Sequence, residues 1–418
     1  MSLQSVRGTH DFLPDVQGKH RLIIECARSL AERFGFHEMS TPVFESSDVF
    51  KRTLGEASDI VNKEMYTFKD RNGDELTLRP EGTAGMARAF ISEGLSQNTP
   101  WKVFYHGPMF RYERPQKGRY RQFHQIGIEL MGAASPLADV ECLAVAYEIL
   151  KAIQVQDTSQ LEINSIGDEE SRKAYVAALV HHLKQYESKL SPDSQKRLTT
   201  NPLRILDSKD ENDRSLLQNA PVISDFLNEA SNTFFTRVTT SLDELGIPYR
   251  LNPFLVRGLD YYTHTVFEFR TSSLGAQDAI LSGGRYDRLL QQMGGPDTPS
   301  VGWAAGLERL ALLSPLTPAR SRPVAVIPVH GSVETQAFKL AYDLRARGLH
   351  CEIAYSGNLS KRMKKATNQN CWAAILVGPD ELAAGQLTLK LLDSGEQQSV
   401  ETDGIFNHLQ SQLRKGTS

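Results

Sequence analysis

The chain has 418 residues, long for a single core, so two or three domains are expected. Hydrophobic content of 40% and charged content of 23% exclude a disordered or fibrous chain, and a formal net charge of −3 excludes a global basic field for nucleic acid. Four scattered cysteines, Cys26, Cys142, Cys351 and Cys371, form no CxxC pair and no zinc-like spacing with histidine, which argues for a reducing compartment and against a disulfide scaffold.

The start, MSLQSVRGTHDFLP, has no apolar core of the signal-peptide kind, and no apolar run is long enough to cross a bilayer. A cytoplasmic protein is expected. Residues Lys19 to Phe34 place Leu22, Ile23, Cys26, Ala27, Leu30 and Phe34 on one side of a helix, and Gly35 stops it. FHEMSTPVFE follows as an extended segment. Residues Glu64 to Leu78 form a hairpin around the turn RNGD. Two strands, KVFYHGPMFRYE and RQFHQIGIELMG, are joined by the basic loop RPQKGRY. Residues 137 to 153 are helical, and QLEINSIG returns to strand. Residues 169 to 245 are polar and helical, with no glycine between Gly167 and Gly246, and are expected to be a helical insertion. Strands then resume as far as the helix GLERLALL. The linker SPLTPARSRP leads into alternating strands and helices from about residue 322 to 418, a small α/β domain.

Four blocks hold polar groups that a core would not choose. In LRPEGTAGMARAF, Glu81 or Thr83 caps a helix, or the two offer acceptors to a substrate ammonium. In MFRYERPQKGRYRQFHQIGIEL, alternation puts Arg111 and Glu113 on one sheet face, and Phe123, Gln125, Gly127 and Glu129 on another. A face of that kind suits a pocket floor. The loop carries Arg114, Lys117, Arg119 and Arg121 around Tyr120; such a loop is either solvated or suited to phosphate. SGGRYDRLL and GWAAGLERLALL supply close-approach glycines and Arg309, weak signals alone. No P-loop is present. In LVRGLDYYTHTVFEFR, Arg257 and Asp260 stand where a strand core would not accept them unpaired. A partner lies either elsewhere in the chain or on a ligand.

These blocks together resemble the histidyl-tRNA synthetases of bacterial type, class II aminoacyl-tRNA synthetases. FGFHEMSTPVFE resembles motif 1, FRYERPQKGRYRQFHQ motif 2 and GWAAGLERL motif 3, while LVRGLDYYTHTVFEF and SGGRYDRL resemble signatures peculiar to the histidine enzymes. The resemblance implies an α+β fold. Residues 1–321 would form the class II catalytic domain, an antiparallel sheet flanked by helices. Residues 322–418 would form a C-terminal α/β anticodon-binding domain. It also implies a homodimer that joins histidine to ATP as histidyl-adenylate and passes it to tRNA(His).

Site roles follow from the same resemblance. Arg111 and Arg257 would be the catalytic cations on the α-phosphate, each worth roughly 3–4 kcal/mol in the transition state, and Arg257's partner would be that phosphate. Glu81, Thr83 and Gln125 would hold the α-amino group. Glu129 and Tyr262 would read the imidazole, with Tyr261 and Tyr286 closing the pocket. Phe123 and Arg309 would sandwich adenine, Arg119 and Arg121 would lie near ATP or the acceptor stem, and Arg114 and Gln116 would meet the acceptor end of the tRNA. Magnesium would be held mostly by ATP, with no protein metal site. The alternative is an inactive paralogue, a regulatory subunit of ATP phosphoribosyltransferase. Such chains resemble the catalytic core but lose signature arginines and the last domain.

Overall fold

The computed structural model describes residues 3–415 apart from 56, 57, 59, 260, 276, 277 and 320, so Asp260 lies outside the described residues. Two compact units divide at Pro318 and Ala319.

In the first unit, helix α1 (Pro14–Arg33) opens the chain, with proline in its first turn and Ile23, Ala27 and Ala31 buried along one side. It starts five residues ahead of the expected Lys19, because proline at a first helical turn loses no hydrogen bond. The expected extended segment after it is split. Strand β1 (His37–Glu38) joins the main sheet, whereas β2 (Phe44–Ser46) leads into α2 (Ser47–Leu54). With the hairpin β3 (Tyr66–Lys69) and β4 (Glu75–Leu78), β2 makes a separate sheet of order β2-β4-β3.

Helix α3 (Thr83–Ser92) precedes the long hairpin of β5 (Trp101–Phe110) and β6 (Gln122–Met131). Helix α4 (Pro136–Ala152) and strand β7 (Gln160–Ser165) follow. The polar stretch holds α5 (Glu169–Lys184), α6 (Pro192–Thr200), α7 (Glu211–Leu217) and α8 (Glu229–Glu244). It is not one body. Tyr175 to Ile223 build their own apolar cluster, while Val238 and Leu242 of α8 sit in the main core. Strands β8 (Arg250–Leu251), β9 (Thr263–Arg270) and β10 (Ala279–Arg285), helix α9 (Leu289–Gln292), strand β11 (Ser300–Gly306) and helix α10 (Leu307–Leu313) complete the unit.

The main sheet has eight strands in the order β1-β5-β6-β11-β10-β9-β7-β8. Its inner pairings are antiparallel, and only the edge pairs β1–β5 and β7–β8 are parallel. One face is apolar. Phe104, Ile126, Ile128, Val301 and Trp303 point to it and pack under α1, α4 and α8. On the other face the register aligns Tyr105 with Gly127 and Ala304, and Gly302 with Glu129 and Gly284. Central strands bearing glycine, alanine and serine on that face leave a trough.

One buried ion pair ties the sheet to α4. The Arg285 guanidinium, at the end of β10, donates to Asp139 Oδ2 at 2.5 and 3.0 Å and to the carbonyls of Ala133 and Ser135 at 3.0 and 3.2 Å. The pair is almost wholly out of water, at 1% and 0% exposure.

The second unit is a five-stranded sheet, β12 (Val324–Pro328), β13 (Cys351–Ile353), β14 (Ala373–Val377), β15 (Gln386–Leu391) and β16 (Gln397–Glu401), in the order β13-β12-β14-β15-β16. β13, β12 and β14 are parallel because helices α11 (Glu334–Ala346) and α12 (Leu359–Asn368) carry the crossovers. α13 (Pro379–Ala383) precedes the β15–β16 hairpin and α14 (Ile405–Lys415) ends the unit.

Removing Asp139 leaves the buried Arg285 with only the partly exposed Asp287, at 2.9 Å, opposite its charge. Asp139→Ala should therefore destabilise the first unit by about 3–5 kcal/mol in urea unfolding. Lys339→Ala, which breaks an exposed pair with Asp343, should leave the unfolding midpoint nearly unchanged. Equal effects would show that Asp287 alone satisfies Arg285.

Candidate active site

The trough opens as a cavity of about 470 Å³ lined by residues from the α3 cap, the β5–β6 loop, the segment before β9 and the ends of β10 and β11. Glu81, Thr83, Arg111, Arg119, Phe123, Gln125, Arg257, Tyr261, Tyr262, Tyr286 and Arg309 all reach its wall. Arg114, Gln116 and Arg121, expected nearby, do not line it. Glu129 lies beneath the floor and is fully buried.

Glu129 is the centre of the site. Its carboxyl accepts from Thr83 Oγ1 at 2.7 Å, from the Tyr105 hydroxyl at 3.3 Å and from the Tyr286 hydroxyl. Burial pushes the carboxyl up to about 8, against the pull of these donors. A Cβ at Gly302, its cross-strand neighbour, would collide with the carboxylate, and one at Gly127 or Gly82 would collide with the Tyr105 ring. Glycine at these positions makes room for the acid and its phenol. The Tyr261 ring lies 4.6 Å from that of Tyr262 and 5.6 Å from that of Tyr286, which closes an aromatic wall.

Glu81 resolves the choice between cap and ligand site only in part. Its two oxygens accept from the amides of Thr83 and Ala84 at 2.7 and 2.8 Å, so it caps α3. The same side chain lines the cavity, and a capping oxygen keeps a second lone pair. Gln125 is different: its Oε1 is buried with no hydrogen-bond partner. An acceptor in that state costs about 1–3 kcal/mol until a donor arrives.

The arginines differ from expectation in two ways. β5 ends at Phe110, so Arg111 and Glu113 lie past the strand and do not share a sheet face. Arg111 Nε donates to the Pro80 carbonyl at 2.8 Å, and its guanidinium stands 5.3 Å from the Phe123 ring. Glu113 turns to Arg119 in an ion pair. β9 begins only at Thr263, so Arg257 sits on a loop rather than in a strand. That loop is fixed by Phe254 and Val256 on the α5–α7 cluster and by Asn164 Nδ2, which donates to the carbonyls of Pro253 and Leu255 at 3.3 and 3.0 Å. Arg257 also has a partner within the chain. Its guanidinium pairs with Glu268 on β9, although its Nε stays buried without a partner. The internal acid satisfies one edge of the guanidinium and leaves another for a ligand. Arg309 Nε donates to the Gly118 carbonyl at 3.0 Å and its terminal nitrogen to the Ala279 carbonyl at 2.6 Å.

Two residues of the site, Tyr105 and Glu268, escape a reading of the sequence. Tyr105 looks like one more core aromatic, yet it alternates in phase with Val103 and Gly107, and so faces Gly127. Glu268 is flanked by Phe267 and Phe269, and a lone acid between two core aromatics was the available signal.

Glu129 gives a pH test. The folded chain holds a proton there that the unfolded chain releases near the ordinary carboxyl range. The group's contribution to stability is therefore full at low pH and is lost as pH rises through about 8. Between pH 5 and 8.5 the melting temperature of the ligand-free wild type should fall more steeply than that of Glu129→Gln. Parallel profiles would mean that Glu129 titrates as an ordinary carboxyl.

Comparison with known proteins gives the family. The family described as "Histidyl-tRNA synthetase" matches residues 8–310, and "Anticodon binding domain" matches residues 323–412. A histidine–tRNA ligase of Rhodospirillum rubrum is 58% identical over 400 residues, 96% of each chain. One of Gluconacetobacter diazotrophicus is 52% identical over 98% of each. The crystal structure of apo histidyl-tRNA synthetase from S. aureus superimposes with a TM-score of 0.83 at 36% identity, over 97% of this chain and 99% of that one. A Bacillus halodurans structure described as an ATP phosphoribosyltransferase regulatory subunit/histidyl-tRNA synthetase has a TM-score of 0.65 at 20% identity, which shows a shared fold alone. By its sequence over nearly the whole length and by its antiparallel sheet, the chain belongs to the histidyl-tRNA synthetases, the class II enzymes that ligate histidine to tRNA with ATP.

Proposed function

We propose that the cavity binds histidine and ATP side by side, forms histidyl-adenylate and passes histidine to the 3′ end of tRNA(His). The observation that carries this reading is Glu129. A buried carboxyl, ringed by hydroxyls under an aromatic wall, suits an imidazole that donates from one nitrogen and accepts at the other. Tyr262 supplies the second contact, and Tyr261 and Tyr286 enclose the ring. The orphaned Gln125 Oε1, with Glu81 and Thr83 beside it, is placed for the α-ammonium.

In the first step a histidine carboxylate oxygen bonds to the α-phosphorus, and the bond from that phosphorus to the pyrophosphate oxygen breaks. Negative charge gathers on the α-phosphoryl oxygens. Arg111, anchored at Pro80, and Arg257, with Nε unpartnered, are the cations already in place to meet it. Phe123 and Arg309 hold adenine, and Arg309 extends to the triphosphate. Arg119 supports the nucleotide, Arg121 braces the loop from outside the cavity through the Glu113 carbonyl, and Arg114 and Gln116 meet the acceptor end. In the second step a hydroxyl of the terminal ribose attacks the carbonyl and AMP leaves. A magnesium ion would be carried by the β- and γ-phosphates of ATP.

Residues 1–321 serve catalysis and 322–418 the anticodon in the same proposal, with a homodimer as the assembly and the cytoplasm as the location. Cys26, Cys142, Cys351 and Cys371 are free thiols, in keeping with a reducing compartment. Among the described residues no helix is long and apolar enough to cross a membrane. The regulatory-paralogue reading is not favoured. Arg111, Arg257 and Arg309 all line the cavity, and the second unit matches an anticodon domain.

Histidine-dependent exchange of pyrophosphate into ATP, without tRNA, tests the chemistry. Arg257→Ala should lose roughly 10²–10³-fold in rate, measured well below a melting temperature that falls because Glu268 loses this partner. Undiminished exchange would remove Arg257 from the transition state.

A further inference from the structure

The β5–β6 loop carries Gly118, Arg119 and Tyr120 into the cavity, yet it has little regular structure of its own. Within the loop the Gln116–Arg119 bridge, the Glu113–Arg119 ion pair and a bond from Arg121 Nε to the Glu113 carbonyl at 3.2 Å cross it, and the Arg111 amide closes its base on the Arg121 carbonyl at 2.9 Å. Without a ladder of backbone bonds, the tip still draws on outside support to hold one shape.

That support comes from the N-terminal segment Gly8–Phe12, which belongs to no helix or strand. The Arg121 amide donates to the Gly8 carbonyl at 2.7 Å. Gly8 has φ of +87°, and a Cβ there would lie 2.9 Å from both Arg121 Cγ and Pro115 Cγ, so the contact requires glycine. The His10 ring meets the Tyr120 ring edge-on at 4.5 Å. Phe12 anchors the segment between His20 of α1 at 4.8 Å and His124 of β6 at 5.4 Å. His124 is itself fixed by Glu308 of α10, which accepts from its amide at 2.9 and 3.0 Å and meets its Nδ1 at 2.9 Å. From the opposite side, Arg309 of α10 grips the Gly118 carbonyl.

We infer that Gly8–Phe12 is a strap that presets the β5–β6 loop for nucleotide, with Gly8 and His10 as positioning residues for ATP. The inference rests on the reading of that loop as part of the ATP site. The strap holds Tyr120 and the Arg121 backbone, α10 holds the tip, and Arg119 between them is presented to the cavity. Histidine, bound over Glu129 and Gln125, touches none of these contacts.

The test is pyrophosphate exchange by the full chain with His10→Ala, His10→Phe, Gly8→Ala and Arg119→Ala. His10 is exposed, so its replacement should leave the melting temperature unchanged. The KM for ATP should rise about 3- to 10-fold in His10→Ala, the range an edge-to-face ring contact supplies. The KM for histidine should stay level, and His10→Phe should restore the ATP value. Gly8→Ala should raise the same KM by a separate route. An unchanged KM for ATP in His10→Ala, with a raised one in Arg119→Ala, overturns the strap and spares the loop reading. Equal rises for histidine and ATP also overturn it, because they report general damage. An unchanged KM for ATP in Arg119→Ala takes the loop out of the nucleotide site, and the strap's role goes with it.

Discussion

A carboxyl group without solvent in the middle of a sheet is costly, and much of this molecule is arranged to keep one there. Burial alone would favour expelling Glu129 or replacing it by an apolar side chain. Three hydroxyls from three segments hold it instead: Thr83 on α3, Tyr105 on β5 and Tyr286 just past β10. Each of those donors needs its own accommodation. Tyr105 fits because positions 82 and 127 carry no Cβ, and the carboxylate fits because position 302 carries none. Tyr286 is held by its amide, which donates to the Ser300 carbonyl at 2.7 Å, and by the Arg285–Asp139 pair one residue before it. The glycines, the phenols and the buried ion pair are consequences of a single acid.

The rim obeys a second rule. Its cations are kept partly, not fully, satisfied. Arg257 is matched to Glu268, Arg119 to Glu113 and Arg111 to a carbonyl, so none is a bare charge in a low-dielectric cleft. A fully paired guanidinium would resist exchange for a phosphate. An unpaired one would move or draw in counter-ions. Half-pairing keeps each group rigid and, in the proposed reaction, would leave donors for the phosphate, as cations that lower a barrier without reorganising must.

Strand periodicity makes the sheet legible, because alternation in β6 places Phe123, Gln125, Gly127 and Glu129 on one face whatever the partners are. The buried face of α1 and the α/β pattern of the second unit are readable for the same reason. What alternation cannot show is where a strand stops. Arg111 lies one residue past β5 and Arg257 six before β9, and a pattern read through those ends assigns them to faces they do not have. Glu268 as the partner of Arg257 is hidden for another reason. Which acid a cation meets depends on how β9 returns past its own preceding loop. Likewise α8 reads as part of a polar insertion, yet Val238 and Leu242 are core, since two apolar positions one turn apart suffice to dock a helix.

The sheet order explains why the site needs so many separated motifs. Residues near 81, 105, 129, 257, 286 and 309 converge because β6 pairs with β11, β11 with β10 and β10 with β9, which joins segments more than a hundred residues apart. The β6–β11 pairing, which sets Met131 against Ser300, closes a long loop before it gains contacts, whereas β9, β10 and β11 pair locally. The intervening helices α5–α7 shorten the problem, since they fold around their own apolar cluster and present Phe254 and Val256 with a surface. The loop that carries Arg257 is thus held on one side by a locally folded body and on the other by the sheet. In the proposed reaction, a loop clamped in that way would bring Arg257 to the phosphate from outside the sheet and hold it with the precision that phosphoryl chemistry requires.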